Sequence, residues 1–196
     1  MEKNKFVLLI FLGIVLITCG FSILLLNKTT EIREEIKKNK SVEKYLINQK
    51  TDVNIEPDNS VSQYDYIGVI EIPSIDLKRG FLDKDSIYND VNYNIEVLID
   101  SDMPDIENGN FILAAHSGNT MVSYFKNIHN LSLNDDIYIY YNGNKYIYKV
   151  INKYQIEKTG YANIVRNNNK NTLTLITCIS NTNYQLVVIC ELIETN

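Results

Sequence analysis

The sequence predicts an all-β domain, a closed barrel or a sandwich, carried behind a single amino-terminal membrane helix. Three observations predict it: short apolar or alternating runs bounded by turn residues recur from residue 67 to 193, helical periodicity is scarce over that stretch, and a charge-free run of 21 residues stands near the amino end. A length of 196 residues suits one packed domain plus an appendage. A net charge of -5 supplies no basic surface to neutralise phosphates, so nucleic acid is not an expected partner. Three cysteines are too few for a disulfide-stapled scaffold, and the odd count leaves at least one thiol free.

The run from Phe6 to Leu26, FVLLIFLGIVLITCGFSILLL, makes a helix of about 31 Å at about 1.5 Å per residue, matching the apolar thickness of a bilayer. No small-x-small cleavage site follows Leu26, so residues 1–27 are expected to remain as a single-pass anchor in the cell membrane. Lysines and arginines flank it on both sides and do not fix its direction; the amino end is placed inside, the rest outside the cell. Cys19 within this run reads as a small apolar filler, with a lipoprotein cleavage site at LITCG as the alternative. Residues 31–50, EIREEIKKNKSVEKYLINQK, alternate charge signs and leave Ile32, Ile36, Val42, Tyr45 and Leu46 as the only apolar stripe, predicting a short, mostly solvated helix. TDVNIEPDNSVSQ, 51–63, reads as a linker. Together these make a juxtamembrane stalk over 28–63, and the folded domain is expected over 64–196.

Within that domain IGVIEIP at 67–73 and FILAAH at 111–116 are apolar strands. DIYIYYNGNKYIYKVINKYQI, 136–156, is a hairpin around Asn142-Gly143, the pair best suited to a type I′ turn because both central residues need positive φ. TLTLIT at 172–177 and YQLVVICELI at 184–193 supply two more strands. NTMVSYFKNIHNL, 119–131, is the best helix candidate, amphipathic through Met121, Tyr124, Phe125 and Ile128.

Two residues carry candidate chemistry. Cys178 ends the strand TLTLIT and opens the polar loop ISNTN, while His116 ends the strand FILAA and opens SGNT. A thiol is mostly protonated at neutral pH, and an adjacent imidazole raises its thiolate fraction and shuttles protons to a leaving group. Both histidines precede Cys178, the reverse of the papain-like order. His129 reads as a surface residue on the polar flank of the short helix, and Cys190 as a core thiol, with a Cys178–Cys190 disulfide as the alternative.

Taken together, these residues resemble the sortases, membrane-anchored cysteine transpeptidases of Gram-positive bacteria, over about residues 66–195. TLITC at 174–178 matches the family's TLxTC signature in full. IGVIEIPSIDL at 67–77 is similar to the opening strand and turn, and FILAAHS at 111–117 to the histidine strand, with Ala115 where glycine is commoner. Phe125, Ile128, Leu131 and Asn134-Asp135 follow the F-x-x-L-x-x-L-x-x-G-D segment, with Asn in place of Gly. The resemblance implies an eight-stranded β-barrel with one or two short helices. It also implies that Cys178 attacks the threonine carbonyl of an LPxTG-like sorting signal to form a thioester, that His116 moves the protons, and that a cell-wall amine resolves the thioester, attaching a surface protein to peptidoglycan. No metal or other cofactor is required.

One departure stands out. The family's third residue is an arginine at the start of the last strand, and Gln185 occupies that position. An amide still donates hydrogen bonds to an oxyanion, without the charge that roughly doubles their strength. Gln185 therefore keeps open a second reading, a sortase-like protein that binds sorting signals at the membrane without turnover; Arg166, before TLITC, can substitute only if its loop folds back. The Asp-Pro-aromatic lid motif of pilin-polymerising sortases is reversed here as Pro57-Asp58, and the chain ends at Asn196 soon after the last strand, so a protein-anchoring or specialised member is expected.

Overall fold

The computed structural model describes residues 2–50 and 63–196, with side chains described from residue 7 except at residue 50. The linker expected over 51–63 lies, but for its last residue, outside the described residues. Two compact units divide between Lys37 and Lys38. α1 (Glu2–Lys50) is a single continuous helix rather than an anchor followed by a separate short helix. Its apolar part is exposed and long and apolar enough to cross a membrane. The few hydroxyls there turn back on the helix: Thr18 donates to the Val15 carbonyl at 2.9 Å and Ser22 to that of Thr18 at 2.8 Å. Such back-bonding satisfies polar groups where a bilayer core offers no water.

In the second unit, the last turns of α1 are not the solvated stalk that their charge pattern predicts. Val42 is buried against Tyr66, Val69 and Leu82, with Tyr45 and Leu46 packed alongside. The Tyr45 hydroxyl donates to the Ile67 carbonyl at 2.7 Å, and burial pushes that hydroxyl's pKa upward. Lys38 is buried too, its ammonium donating to the Tyr124 hydroxyl at 2.6 Å. The short stripe Val42, Tyr45 and Leu46 follows helical spacing, and Glu43 and Lys44 beside it are exposed.

The barrel consists of β1 (Gly68–Ile72), β2 (Leu77–Phe81), β3 (Glu96–Val97), β4 (Asn110–Ala114), β5 (Asp136–Tyr141), β6 (Asn144–Glu157), β7 (Thr172–Cys178) and β8 (Tyr184–Thr195). They form one sheet in the order β2-β1-β5-β6-β8-β7-β4-β3. A parallel bridge from Phe81 to Ile95 joins its two edges, so the sheet is nearly closed. The eight-stranded barrel is as expected, and a closed sheet hides its edges from other chains. The β5–β6 turn has φ of 49° at Asn142 and 80° at Gly143, as a type I′ hairpin requires.

The helix expected over 119–131 is absent; only Ile128–Asn130 forms a 3₁₀ turn. The Ser123 and Lys126 N–H groups donate to carbonyls three residues earlier, and the Thr120 N–H to the Ser123 hydroxyl. Ser and Thr compete with the backbone in this way and break helices into turns. The apolar spacing still does its work, since Tyr124, Phe125, Ile128 and Leu131 are buried in the barrel core.

Candidate active site

β4 and β7 run parallel, so the carboxyl ends of both reach the same rim of the barrel. Their register pairs Ala114 with Ile176. The ladder continues as the Ala115 N–H donates to the Ile176 carbonyl at 3.3 Å, and the buried Thr177 hydroxyl donates to the Ala115 carbonyl at 2.6 Å. Carried two residues past the end of β4, that register would set His116 opposite Cys178. On the other side β8 runs antiparallel to β7, with Gln185 directly opposite Cys178. A tight turn makes this possible: Asn181 takes a φ of 60°, and the Ile179 N–H donates to the Tyr184 carbonyl at 2.9 Å.

Side chains alternate along each strand. Phe111, Leu113 and Ala115, Leu173 and Leu175, and Leu186 and Val188 turn into the main core. Cys178 and Gln185 have the opposite parity and share the other face on one rung, which the alternation of β4, carried on to His116, would extend to three strands. All three are half-buried. The loops leaving them are tied down, since the Ser117 hydroxyl donates to the Cys178 carbonyl and the Phe125 N–H to the His116 carbonyl at 3.0 Å. A thiol, an imidazole and an amide on adjacent strand ends can perform nucleophilic attack, proton transfer and oxyanion stabilisation.

A cavity of about 630 Å³ opens beside Cys178. Ser117 and Thr177 line it at the strand ends, Lys126 and His129 from the β4–β5 loop, and Lys153 from β6. His129 is exposed, as its sequence setting predicts. Its convergence with Lys126 and Lys153 carried no sequence signal, because Lys153 is 24 residues away on a strand whose bulge between Val150 and Asn152 shifts the alternation.

Arg166 does not fold back. Its guanidinium donates to the Asn108 carbonyl at 3.0 Å and to the Thr172 hydroxyl at 3.4 Å, at the start of β7. Cys178 lies at the other end of that strand, roughly 20 Å away at about 3.3 Å per residue. The three cysteines are free, which removes the Cys178–Cys190 disulfide alternative. Cys190 is fully buried, and desolvation drives its pKa far up, leaving an inert neutral thiol. Cys19 is exposed on α1. Among the described residues no group of three or more His, Cys, Asp or Glu is placed to hold a metal ion.

A family model described as a Sortase domain matches residues 70–193, more than half of the chain. Sortase A of Bacillus anthracis is 31% identical over 121 residues, which cover 62% of this chain and 56% of that relative's length. Among solved structures, a sortase D5 transpeptidase of Clostridium perfringens superposes with a TM-score of 0.61 at 22% identity, covering 80% of this chain and 98% of its own. A sortase C of the same organism, solved with the C-terminal cell wall sorting motif, gives 0.56 at 24% identity over 79% of this chain and 86% of its own. With the matched domain spanning the rung that holds His116, Cys178 and Gln185, the chain belongs to the sortase family.

Proposed function

We propose that this chain is a membrane-anchored transpeptidase that acts on a sorting-signal peptide of the LPxTG type, with its barrel outside the cell. One observation supports the reading: β4 and β7 pair in parallel through Ala114 and Ile176, and that register carried two residues further would set His116 and Cys178 on one rung of one rim. The Cys178 thiolate attacks the carbonyl carbon of the scissile threonine, and the amide of Gln185, opposite on β8, donates to the developing oxyanion. As the tetrahedral intermediate collapses the C–N bond breaks, and the His116 imidazolium gives its proton to the departing amine. The acyl group stays on sulfur as a thioester. An incoming amine then attacks that carbonyl, the C–S bond breaks, sulfur leaves as thiolate, and the amine's proton returns to His116. The product is a surface protein joined by an amide bond to a cell-wall amine. The apolar part of α1 would hold the enzyme at the membrane where such peptides emerge.

Gln185 supplies the observation behind a second reading, a protein that binds sorting signals without turning them over. Incubating the full chain with a library of LPxTG-like peptides and hydroxylamine separates the two. The transpeptidase yields a hydroxamate that Cys178→Ala abolishes; a binding protein retains peptide and yields none.

A further inference from the structure

The cavity beside Cys178 is basic, although the chain as a whole carries a net charge of -5. Two lysines and a histidine line it, and among the described lining residues there is no Asp or Glu. Among the described residues neither Lys126 nor Lys153 stands within ion-pair distance of a carboxylate. The half-buried Lys153 ammonium is aimed by the carbonyls of Leu131 and of His129, the latter at 2.9 Å. Those two carbonyls leave one of its three N–H groups and its charge unmatched. The cavity reaches Cys178 past Ser117, the residue after His116, and past Thr177. Its volume of about 630 Å³ is ample for a small amino acid or the end of a longer one.

Resting on the sortase reading above, we propose that this cavity binds the second substrate, and that this substrate is an amine carrying a carboxylate close to the nitrogen. A free amine alone is a poor match, because at neutral pH it is an ammonium ion and the lysines repel it. A neighbouring carboxylate reverses the balance. It pairs with Lys126, His129 or Lys153, and the same positive charges then favour the uncharged, nucleophilic form of the amine at the sulfur. The bound nitrogen attacks the acyl carbon on Cys178; the N–C bond forms, the C–S bond breaks, the thiolate leaves and the nitrogen's proton passes to His116.

The test uses the full chain in detergent micelles, charged with a library peptide that it cleaves, and offers glycine and glycinamide in competition. Glycinamide has the less basic amine and is the better nucleophile in free solution at neutral pH. The cavity reverses this order and favours glycine, because the charge-assisted hydrogen bonds to its carboxylate, each on the scale of about tenfold or more, together outweigh the difference in basicity. The ratio is read within each protein, so it does not depend on overall turnover, and it falls to about one or below in the double variant Lys126→Gln, His129→Gln. A second readout needs no peptide. With two histidines in the chain, carbon-13 labelling of the imidazoles gives two resonances, and that of His129 shifts on titration with glycine and not with glycinamide. Peptide cleavage with no preference for glycine overturns this inference and leaves the sortase reading standing. A glycine-specific shift at His129 without cleavage of any peptide supports an anion site here and sinks the sortase reading. A His129 resonance indifferent to both ligands overturns the cavity's role.

Discussion

The two ends of β7 are built from the same alternation of side chains and meet opposite fates. At its start, the Asn110 side-chain oxygen accepts from the hydroxyls of Thr172 and Thr174 at 3.0 and 2.8 Å, the Asn110 N–H donates to Asp102 at 2.8 Å, and Arg166 covers the outside. Thr172, Thr174 and Asn110 are all buried, and every one has a partner. At its finish, Cys178, His116 and Gln185 are left half-exposed, and a basic cavity opens beside them. Polar groups that saturate one another make structure. Polar groups aimed at an open face are available for chemistry. Cys190, in the middle of neighbouring β8 and paired with Leu173, shows the same thiol without the open face, neutral and unreactive.

The largest effects belong to the open end. On the proposed mechanism Cys178→Ala removes the nucleophile and is expected to leave no thioester, while His116→Gln is expected to lower kcat/KM by about 10²–10⁴-fold, measured as hydroxamate formation. Neither change should alter thermal stability appreciably, since both side chains are only half-buried. At the closed end the pattern inverts. Asn110→Leu strands the buried Thr174 hydroxyl, while that of Thr172 keeps Arg166 and the Gly109 carbonyl, and should cost about 1–3 kcal/mol in denaturant unfolding, with turnover of the folded protein little changed. A large loss of turnover in fully folded Asn110→Leu protein would break the contrast. Gln185→Arg sharpens it from within the open end. It places a cation opposite Cys178 and is expected to raise kcat by roughly tenfold, since a charged donor strengthens an oxyanion hydrogen bond about twofold.

The smallest effect comes from the neighbouring edge strand, where Glu96 pairs with Ala114, two residues before His116. Burial raises the Glu96 pKa above its ordinary 4.5, partly offset by the hydrogen bond from the Val91 N–H and reinforced by the nearby Asp90. The folded state therefore holds this proton more tightly than the unfolded one. Its contribution to stability is complete below the unfolded value and is lost as pH rises through the raised folded value. Glu96→Gln should flatten that decline in urea midpoints measured upward from pH 4.5, and an unchanged slope would show that the carboxyl is solvated.

Much of the fold was legible because it rests on local chemistry. Asn142-Gly143 sets its hairpin with two positive φ values, and TLTLITC needs only β-branched alternation to become β7. The strand-end positions of His116 and Cys178 were legible too. Their adjacency was not, because the parallel β4–β7 pairing joins segments some 60 residues apart that no local pattern connects. The 119–131 segment shows the limit of periodicity. Its apolar spacing placed Phe125 and Ile128 in the core correctly, but Thr120 and Ser123 spent their hydroxyls on turns. The basic cavity wall left no trace in sequence, since Lys126, His129 and Lys153 come from two elements joined only by the tertiary fold. Likewise, the stripe at Val42, Tyr45 and Leu46 was visible, whereas its burial depends on Tyr66, Val69 and Leu82.

Intact-protein mass spectrometry after brief mixing with cleavable LPxTG-like peptides addresses the pairing of Cys178 with His116 most directly. The expected result is one acyl adduct per chain, mapped to Cys178, released by hydroxylamine, absent in Cys178→Ala and slow to appear in His116→Gln. An adduct on Cys19 or Cys190, or none with any peptide in the library, would contradict it.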